Sequence, residues 1–269
     1  MLKIGMIGFG TIGQQLLDLI EDKKLVNTKV ESILVRNIEK VHNQLGNNRI
    51  NVTDDPEYFF SQDLDFIVEA AGHEAVRQYG KTALVHGSNL ILVSVGSLAD
   101  DSFLNEIKEA AEKVQKQIII PSAAIGGLDR VASGSIGDID QVKQITRKQP
   151  KAWYGTKVEK EFDLESIKEP TCIFKGKARE SAEIFPENVN VSAALSLAGI
   201  GFDRTEVEVY IDPSIDRNTH EVFISGHFGQ TKIEIQNTPS PDNPKTGYIV
   251  AMSIAKVLNS YTNPVVLGV

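Results

Sequence analysis

Lys3-Ile4-Gly5-Met6-Ile7-Gly8-Phe9-Gly10-Thr11-Ile12-Gly13 is the stretch that decides the fold of this 269-residue chain. Lys3 to Ile7 is a short apolar run, and Ile12, Leu16, Leu17 and Ile20 then recur at helical spacing. The glycines at 8, 10 and 13 therefore lie between a strand and a helix, the context that makes a G-x-G-x-x-G match specific. Gly8 permits the tight turn, Gly10 lets backbone approach a pyrophosphate, and Gly13 allows strand and helix to pack closely. Thr11 and Ile12 open the helix, where free N–H groups and the positive dipole end favour phosphate. The stretch predicts a dinucleotide cradle.

Outward from it, Val30–Val35, Leu64–Ala70, Leu90–Val95 and Gln117–Ile120 read as strands, the last stopped by Pro121. Glu74–His86 and the charged segment Asp100–Gln115 read as helices, the second with acidic residues at its start. Strands alternating with helices predict an α/β domain over residues 1–120, a Rossmann doubly wound parallel sheet covered on both faces. After about residue 136 the period changes to two, in Gln141–Thr146, Thr205–Tyr210, His220–Ile224 and Thr231–Ile235. That predicts a second, α+β domain over 121–240, with a mainly antiparallel sheet and one solvated face. Ala178–Ile184 and Val191–Ala198 are its expected helices. A last helix, Gly247–Asn259, lies in a segment, 241–269, expected to pack back on the first domain.

Composition excludes several classes. Hydrophobic residues make up 41% and charged residues 24%, ordinary for a globular protein, and the net charge of −8 argues against a nucleic-acid partner. The single cysteine, Cys172, allows no internal disulfide and no thiolate cluster for a metal, and is expected as a small buried apolar residue. No segment reaches the roughly 18 consecutive apolar residues of a membrane span. Met1-Leu2-Lys3 runs straight into a strand, so a cytoplasmic protein without a signal peptide or membrane contact is expected. The sequons at Asn51 and Asn190 are then chance matches.

Dinucleotide choice is read at the end of the second strand, where NAD sites place an acid on the ribose. Here stand Val35-Arg36-Asn37. Arg36 can pair with a 2′-phosphate and stack on adenine, while Asn37 can still bond a ribose. The expected cofactor is NAD or NADP, with NADP at least accepted.

Several later segments are too particular for a generic dinucleotide domain: Val68-Glu69-Ala70-Ala71-Gly72-His73, Ser94-Val95-Gly96-Ser97-Leu98, Pro121–Gly127, Gly176–Glu180, Phe185-Pro186-Glu187-Asn188-Val189-Asn190-Val191 and Asn243-Pro244-Lys245-Thr246-Gly247. Together they resemble the L-aspartate dehydrogenase family over essentially the whole chain, the Phe185 and Asn243 segments most specifically. The resemblance implies NAD(P)-dependent oxidative deamination of L-aspartate through an imine to oxaloacetate and ammonia, or release of iminoaspartate toward NAD synthesis. It implies His220, in Asn218-Thr219-His220-Glu221-Val222, as catalytic acid/base, and Ala124 and Asn190 as contacts of the nicotinamide end. Ala71 and Gly72, at a strand end, join the cofactor set. NAD-preferring members carry an acid near position 36, and this chain departs from them there.

Residue types alone leave five histidines open. A histidine titrating near neutrality suits both the amine proton and the hydrolytic water. His42 lies in a polar stretch, His86 ends a helix, and His227 sits in a turn. His73 follows a strand end on the ligand side. Only the resemblance puts His220 first. A dicarboxylate substrate calls for cations and N–H donors, and Lys245-Thr246 reads as a helix start able to hold an anion. Asn190 is a further substrate candidate, set apart from Asn188 if the latter caps the helix. Arg147, Lys148 and Lys151 form an unassigned basic cluster before Trp153. By analogy the chain is expected to form a homodimer through the second-domain sheet. The alternatives are a homoserine dehydrogenase or dihydrodipicolinate reductase type of enzyme, or a non-catalytic NAD(P) sensor.

Overall fold

The computed structural model describes residues 1–268 apart from Val26, Asn47, 186–188, Pro241 and Asp242, with backbone alone at Pro239 and 243–246. Among the described residues, the apolar runs of the N-terminal part form β1 (Leu2–Ile7), β2 (Thr28–Leu34), β3 (Asn51–Thr53), β4 (Phe66–Glu69), β5 (Asn89–Leu92) and β6 (Ile118–Ile119). They lie in the order β3-β2-β1-β4-β5-β6, every pair parallel. That is the Rossmann order, and it reverses between β1 and β4. Such sheets bind ligands beyond the carboxyl ends of the strands at that point. The intervening helices are α1 (Thr11–Glu21), α2 (Ile38–Leu45), α3 (Pro56–Phe60), α4 (His73–Val85) and α5 (Asp101–Lys113).

The chain divides into two units, Met1–Ala123 with Val250–Val269, and Ala124–Ile249. The core of the first joins Ile4 and Met6 of β1, Leu16 of α1, Ile33 of β2 and Ile91 of β5 to Ile254 and Leu258 of the C-terminal helix. Full burial of each of those last two side chains is worth roughly 1.5–3 kcal/mol. The helix is thus an integral part of the first unit, although it is the last element of the chain.

The second unit contains α6 (Leu128–Gly134), β7 (Ile139–Lys148), α7 (Val158–Glu161), β8 (Thr171–Lys177), α8 (Ala178–Ile184), α9 (Val189–Ala198), β9 (Glu206–Ile211), β10 (Asn218–Gly226) and β11 (Gly229–Asn237). Its sheet has the order β11-β10-β7-β9-β8. The inward face carries Val142, Val222 and Ile224, packed with Ile125, Val131, Ile139 and Leu195. The sheet is not purely antiparallel: β7 and β9 run parallel. Alternation separates the two faces of a strand and is silent on its direction, and the long crossover between these strands supplies the parallel return. β8, an edge strand, went unread because its sequence Thr171-Cys172-Ile173-Phe174-Lys175 does not alternate cleanly. Cys172 is exposed on it, contrary to expectation.

The C-terminal boundary also differs from the sequence expectation. Asn243–Gly247 forms β13, paired antiparallel with β12 (Pro239–Ser240), and α10 begins only at Ile249 and ends at Ser260. Pro244 restricts the residue before it to extended backbone, which favours a ribbon over a helix start. Among the described residues no helix is long and apolar enough to cross a membrane.

Candidate cradle and histidine site

Gly8 leaves β1 with φ +90°, and a Cβ there would lie 2.8 Å from Ala71 Cβ and 2.9 Å from the Ala70 carbonyl oxygen. Any side chain would separate the turn after β1 from the loop after β4. Gly13 is tight for a different reason: its Cβ would sit 3.1 Å from Met6 Cε and 3.2 Å from Gly8 O. Gly10 has an ordinary φ of −83° as N-cap of α1, makes no side-chain cap bond, and has nothing within 4 Å of its Cβ position. Open space therefore lies over the first turn of α1, where Thr11 and Ile12 head a row of N–H groups with no partner inside the helix. This cradle fits a pyrophosphate, the group the sequence pattern implies.

Glu69 ties the neighbouring loops together. It ends β4 and is 1% exposed. Its carboxylate accepts from Ala71 N (2.7 Å), Gly72 N (2.8 Å), Ser94 N (3.0 Å) and Ser94 Oγ (2.9 Å). A buried charge persists only when its lone pairs are met by donors, and here the donors come from the loops after β4 and β5. Gly72, with φ +110°, then caps α4, of which His73 is the first residue. An acid closing the apolar run Phe66-Ile67-Val68 was the available signal for this role. Glu69→Ala strands several buried donors and is expected to cost about 3–5 kcal/mol in urea unfolding. A loss under about 1 kcal/mol would show that water replaces the carboxylate.

Arg36 is exposed directly after β2 and pairs with no acid among the described residues. Asn37 is engaged otherwise, its side chain capping α2 by accepting from Lys40 N at 2.9 Å. His86 has a local partner in the Thr82 carbonyl, 2.9 Å from its Nδ1.

In the second unit, His220 of β10 stands directly opposite Thr146 of β7. The ring is 6% exposed, and its Nδ1 lies 3.1 Å from Thr146 Oγ1. Gln144, on the same face of β7 and 1% exposed, donates Nε2–H to Thr146 Oγ1 at 2.6 Å. Burial, helped by the Lys148 ammonium, pushes the His220 pKa down to about 3, so the ring is neutral across the physiological range. Lys148 follows on the same face, its Nζ 5.7 Å from the centre of the buried Trp153 ring. Arg147 points to the opposite face, paired with Asp212 and Glu221 and stacked on Tyr210. The basic cluster is thereby split, Lys148 toward the histidine and Arg147 away from it.

The remaining sequence candidates are placed as follows. Ala124 begins the second unit, its carbonyl accepting from Asn237 Nδ2 at 2.7 Å. The residue before it, Ala123, has φ +48°, a conformation uncommon outside glycine. Asn190 is the second residue of α9 and half-buried. Asn188 lies outside the described residues. Lys245 and Thr246 lie on β13 rather than at a helix start, and their side chains fall outside the described residues.

Comparison with known proteins accounts for both halves. The family model for the NAD-binding domain of homoserine dehydrogenase matches residues 8–121, and that for the C-terminal domain of aspartate dehydrogenase matches residues 129–261. The L-aspartate dehydrogenase of Methanosarcina barkeri is 37% identical, with 100% of each chain covered. The chain belongs to the L-aspartate dehydrogenase family. The crystal structure of aspartate dehydrogenase from Thermotoga maritima superposes with a TM-score of 0.79 at 25% identity, over 99% of both chains. A homoserine dehydrogenase from Thiobacillus denitrificans shares the fold at 14% identity, with a TM-score of 0.64 over 98% of this chain and 74% of its own. Membership in the L-aspartate dehydrogenase family rests on the full-length likeness, whereas the homoserine dehydrogenase similarity is one of fold.

Proposed function

We propose that this protein oxidatively deaminates L-aspartate with NAD or NADP, giving iminoaspartate and then oxaloacetate and ammonia. Family membership supplies the substrate class. The observation that carries the chemistry is His220, a neutral buried ring whose Nδ1 is already engaged. Gly8, Gly10, Thr11, Ile12 and Gly13 hold the pyrophosphate, with Ala71 and Gly72 beside them and Arg36 at the adenosine ribose. Ala124 and Asn190 take the nicotinamide end. When bound, the nicotinamide accepts the hydride from substrate Cα. His220 takes and returns protons at the substrate nitrogen and the attacking water, and two substrate carboxylates nearby raise its pKa toward neutrality. Asn190, Lys245 and Thr246 contact those carboxylates, and Lys148, whose charge acts on His220, joins them.

The test is NAD(P)H formation with L-aspartate, using each cofactor. Turnover is expected with both, and none with either would sink the proposal. Arg36→Ala is expected to raise KM for NADP about 10-fold or more and to leave NAD little changed, since the lost contact is to the 2′-phosphate. The protein works in the cytoplasm, where dinucleotides are available and the exposed Cys172 stays reduced; cell fractionation checks this. It works as a homodimer through the outward face of the β7–β11 sheet, on which Ile145 and Phe223 are half-buried among ion pairs such as Arg147–Glu221. A monomer mass in sedimentation equilibrium contradicts that assembly.

A further inference from the structure

His220 ends a row of three buried side chains on one face of the sheet. Gln144 and Thr146 are two residues apart on β7, and Thr146 faces His220 across the antiparallel pair, so the order Gln144, Thr146, His220 follows from strand geometry. The separations are 2.6 Å from Gln144 Nε2 to Thr146 Oγ1 and 3.1 Å from Thr146 Oγ1 to His220 Nδ1. Gln144 Oε1 is buried and has no hydrogen-bond partner among the described residues. Nothing in the reaction itself calls for a buried glutamine.

The polarity of the row follows from donor and acceptor counts. A hydroxyl has one proton to give. The Gln144 N–H occupies a lone pair of Thr146 Oγ1, and the hydroxyl proton has His220 Nδ1 as its acceptor. We propose that Gln144 and Thr146 are positioning residues that set the tautomer of His220, keeping Nδ1 bare and the ring proton on Nε2. The resting ring therefore meets a ligand as a hydrogen-bond donor, matched to a carboxylate.

A single rotation reverses the pattern. With the Gln144 amide turned over, Oε1 accepts from the Thr146 hydroxyl, whose oxygen then accepts from Nδ1–H and leaves Nε2 bare. Heavy-atom positions are the same in both states, and one amide atom lacks a partner in each. An orphaned carbonyl oxygen is tolerated better than an orphaned N–H, which favours the orientation with the Nε2 proton at rest. Acting as a base at Nε2 requires the reversed state, so the amide decides whether His220 gives or receives.

The inference rests on the reading of His220 as the proton-transfer group, and its test has a readout independent of activity. Imidazole 15N shifts of the full-length protein near pH 7.5 are expected to show Nδ1 bare and Nε2 protonated. Thr146→Val should mix the tautomers and Thr146→Ser should restore the wild-type pattern. Gln144→Glu, whose carboxylate only accepts, should place the proton on Nδ1 and raise the ring pKa. A wild-type ring protonated at Nδ1, or a Thr146→Val ring with unchanged shifts, overturns the assignment. Full activity in His220→Ala would instead remove the catalytic reading and leave the spectroscopic result standing. In kinetics Thr146→Val leaves Nδ1–H of the reversed state and of the imidazolium without its acceptor, so the expected signature is a kcat loss of about 10-fold with KM nearly unchanged, recovered in Thr146→Ser.

Discussion

His220→Ala lowers kcat for L-aspartate oxidation by about 10²–10⁴-fold while dinucleotide binding stays within about twofold of wild type. The size follows from the proton-transfer role proposed for this side chain, and the selectivity from its location on β10, outside the glycine-turn unit. Steady-state kinetics with a fluorescence titration of the reduced dinucleotide measure the two quantities. Wild-type kcat in the variant would assign proton transfer elsewhere. The same substitution changes acid stability in a direction fixed by linkage. The unfolded ring binds a proton near pH 6.5, whereas the folded ring binds it only near 3. The unfolded state thus takes up more protons in that window, and stability falls with pH by up to about 1.4 kcal/mol per unit. Urea midpoints between pH 6.5 and 4.5 should show this slope in the wild type and its absence in His220→Ala. Parallel slopes would mean that the ring is already solvated.

Gly10→Val weakens NAD and NADP binding at least about 100-fold, roughly 2.7 kcal/mol, and changes unfolding free energy by about 1 kcal/mol or less. The two effects separate because Gly10 has an unstrained φ and open space at its Cβ position. The free protein accepts the side chain, and the conflict arises only where a pyrophosphate must approach the backbone. Gly8→Val behaves differently, since φ +90° and the contact with Ala71 make it a folding defect first. Unaltered affinity in Gly10→Val would move the phosphate site off this turn.

The cradle was legible in the sequence because each of its requirements is local. A strand, a helix start and three glycines within six positions are set by neighbouring residues. The buried network around Glu69 was legible only as an acid out of place at the end of an apolar strand. Ala71 and Gly72 are local partners in the following turn, whereas Ser94 is brought to the carboxylate by the pairing of β4 with β5. Gln144 and Thr146 were read only as part of an alternating strand, with no face assigned to either. They lie on the inward face, and the outward one carries Lys143, Ile145 and Arg147. Alternation identifies two faces and does not say which is covered when each carries both polar and apolar residues. Lys245 and Thr246 show the opposite failure: a helix pattern just downstream was extended backward over a segment that pairs as a ribbon.

By itself, the sequence of this protein determined the dinucleotide domain, the change from alternating helices and strands to a second sheet, and the family. Those depend on periodicity, on glycine stereochemistry and on segments contiguous in the chain. Only the tertiary structure decided the parallel return between β7 and β9, the ribbon formed by Asn243–Gly247, and the surroundings of His220. The first and last of these join residues far apart in sequence, Thr146 and His220 by 74 positions, through strand register and side-chain burial. The tautomer of a histidine is set by its neighbour's hydrogen bond, and which residue becomes that neighbour is a property of the folded sheet.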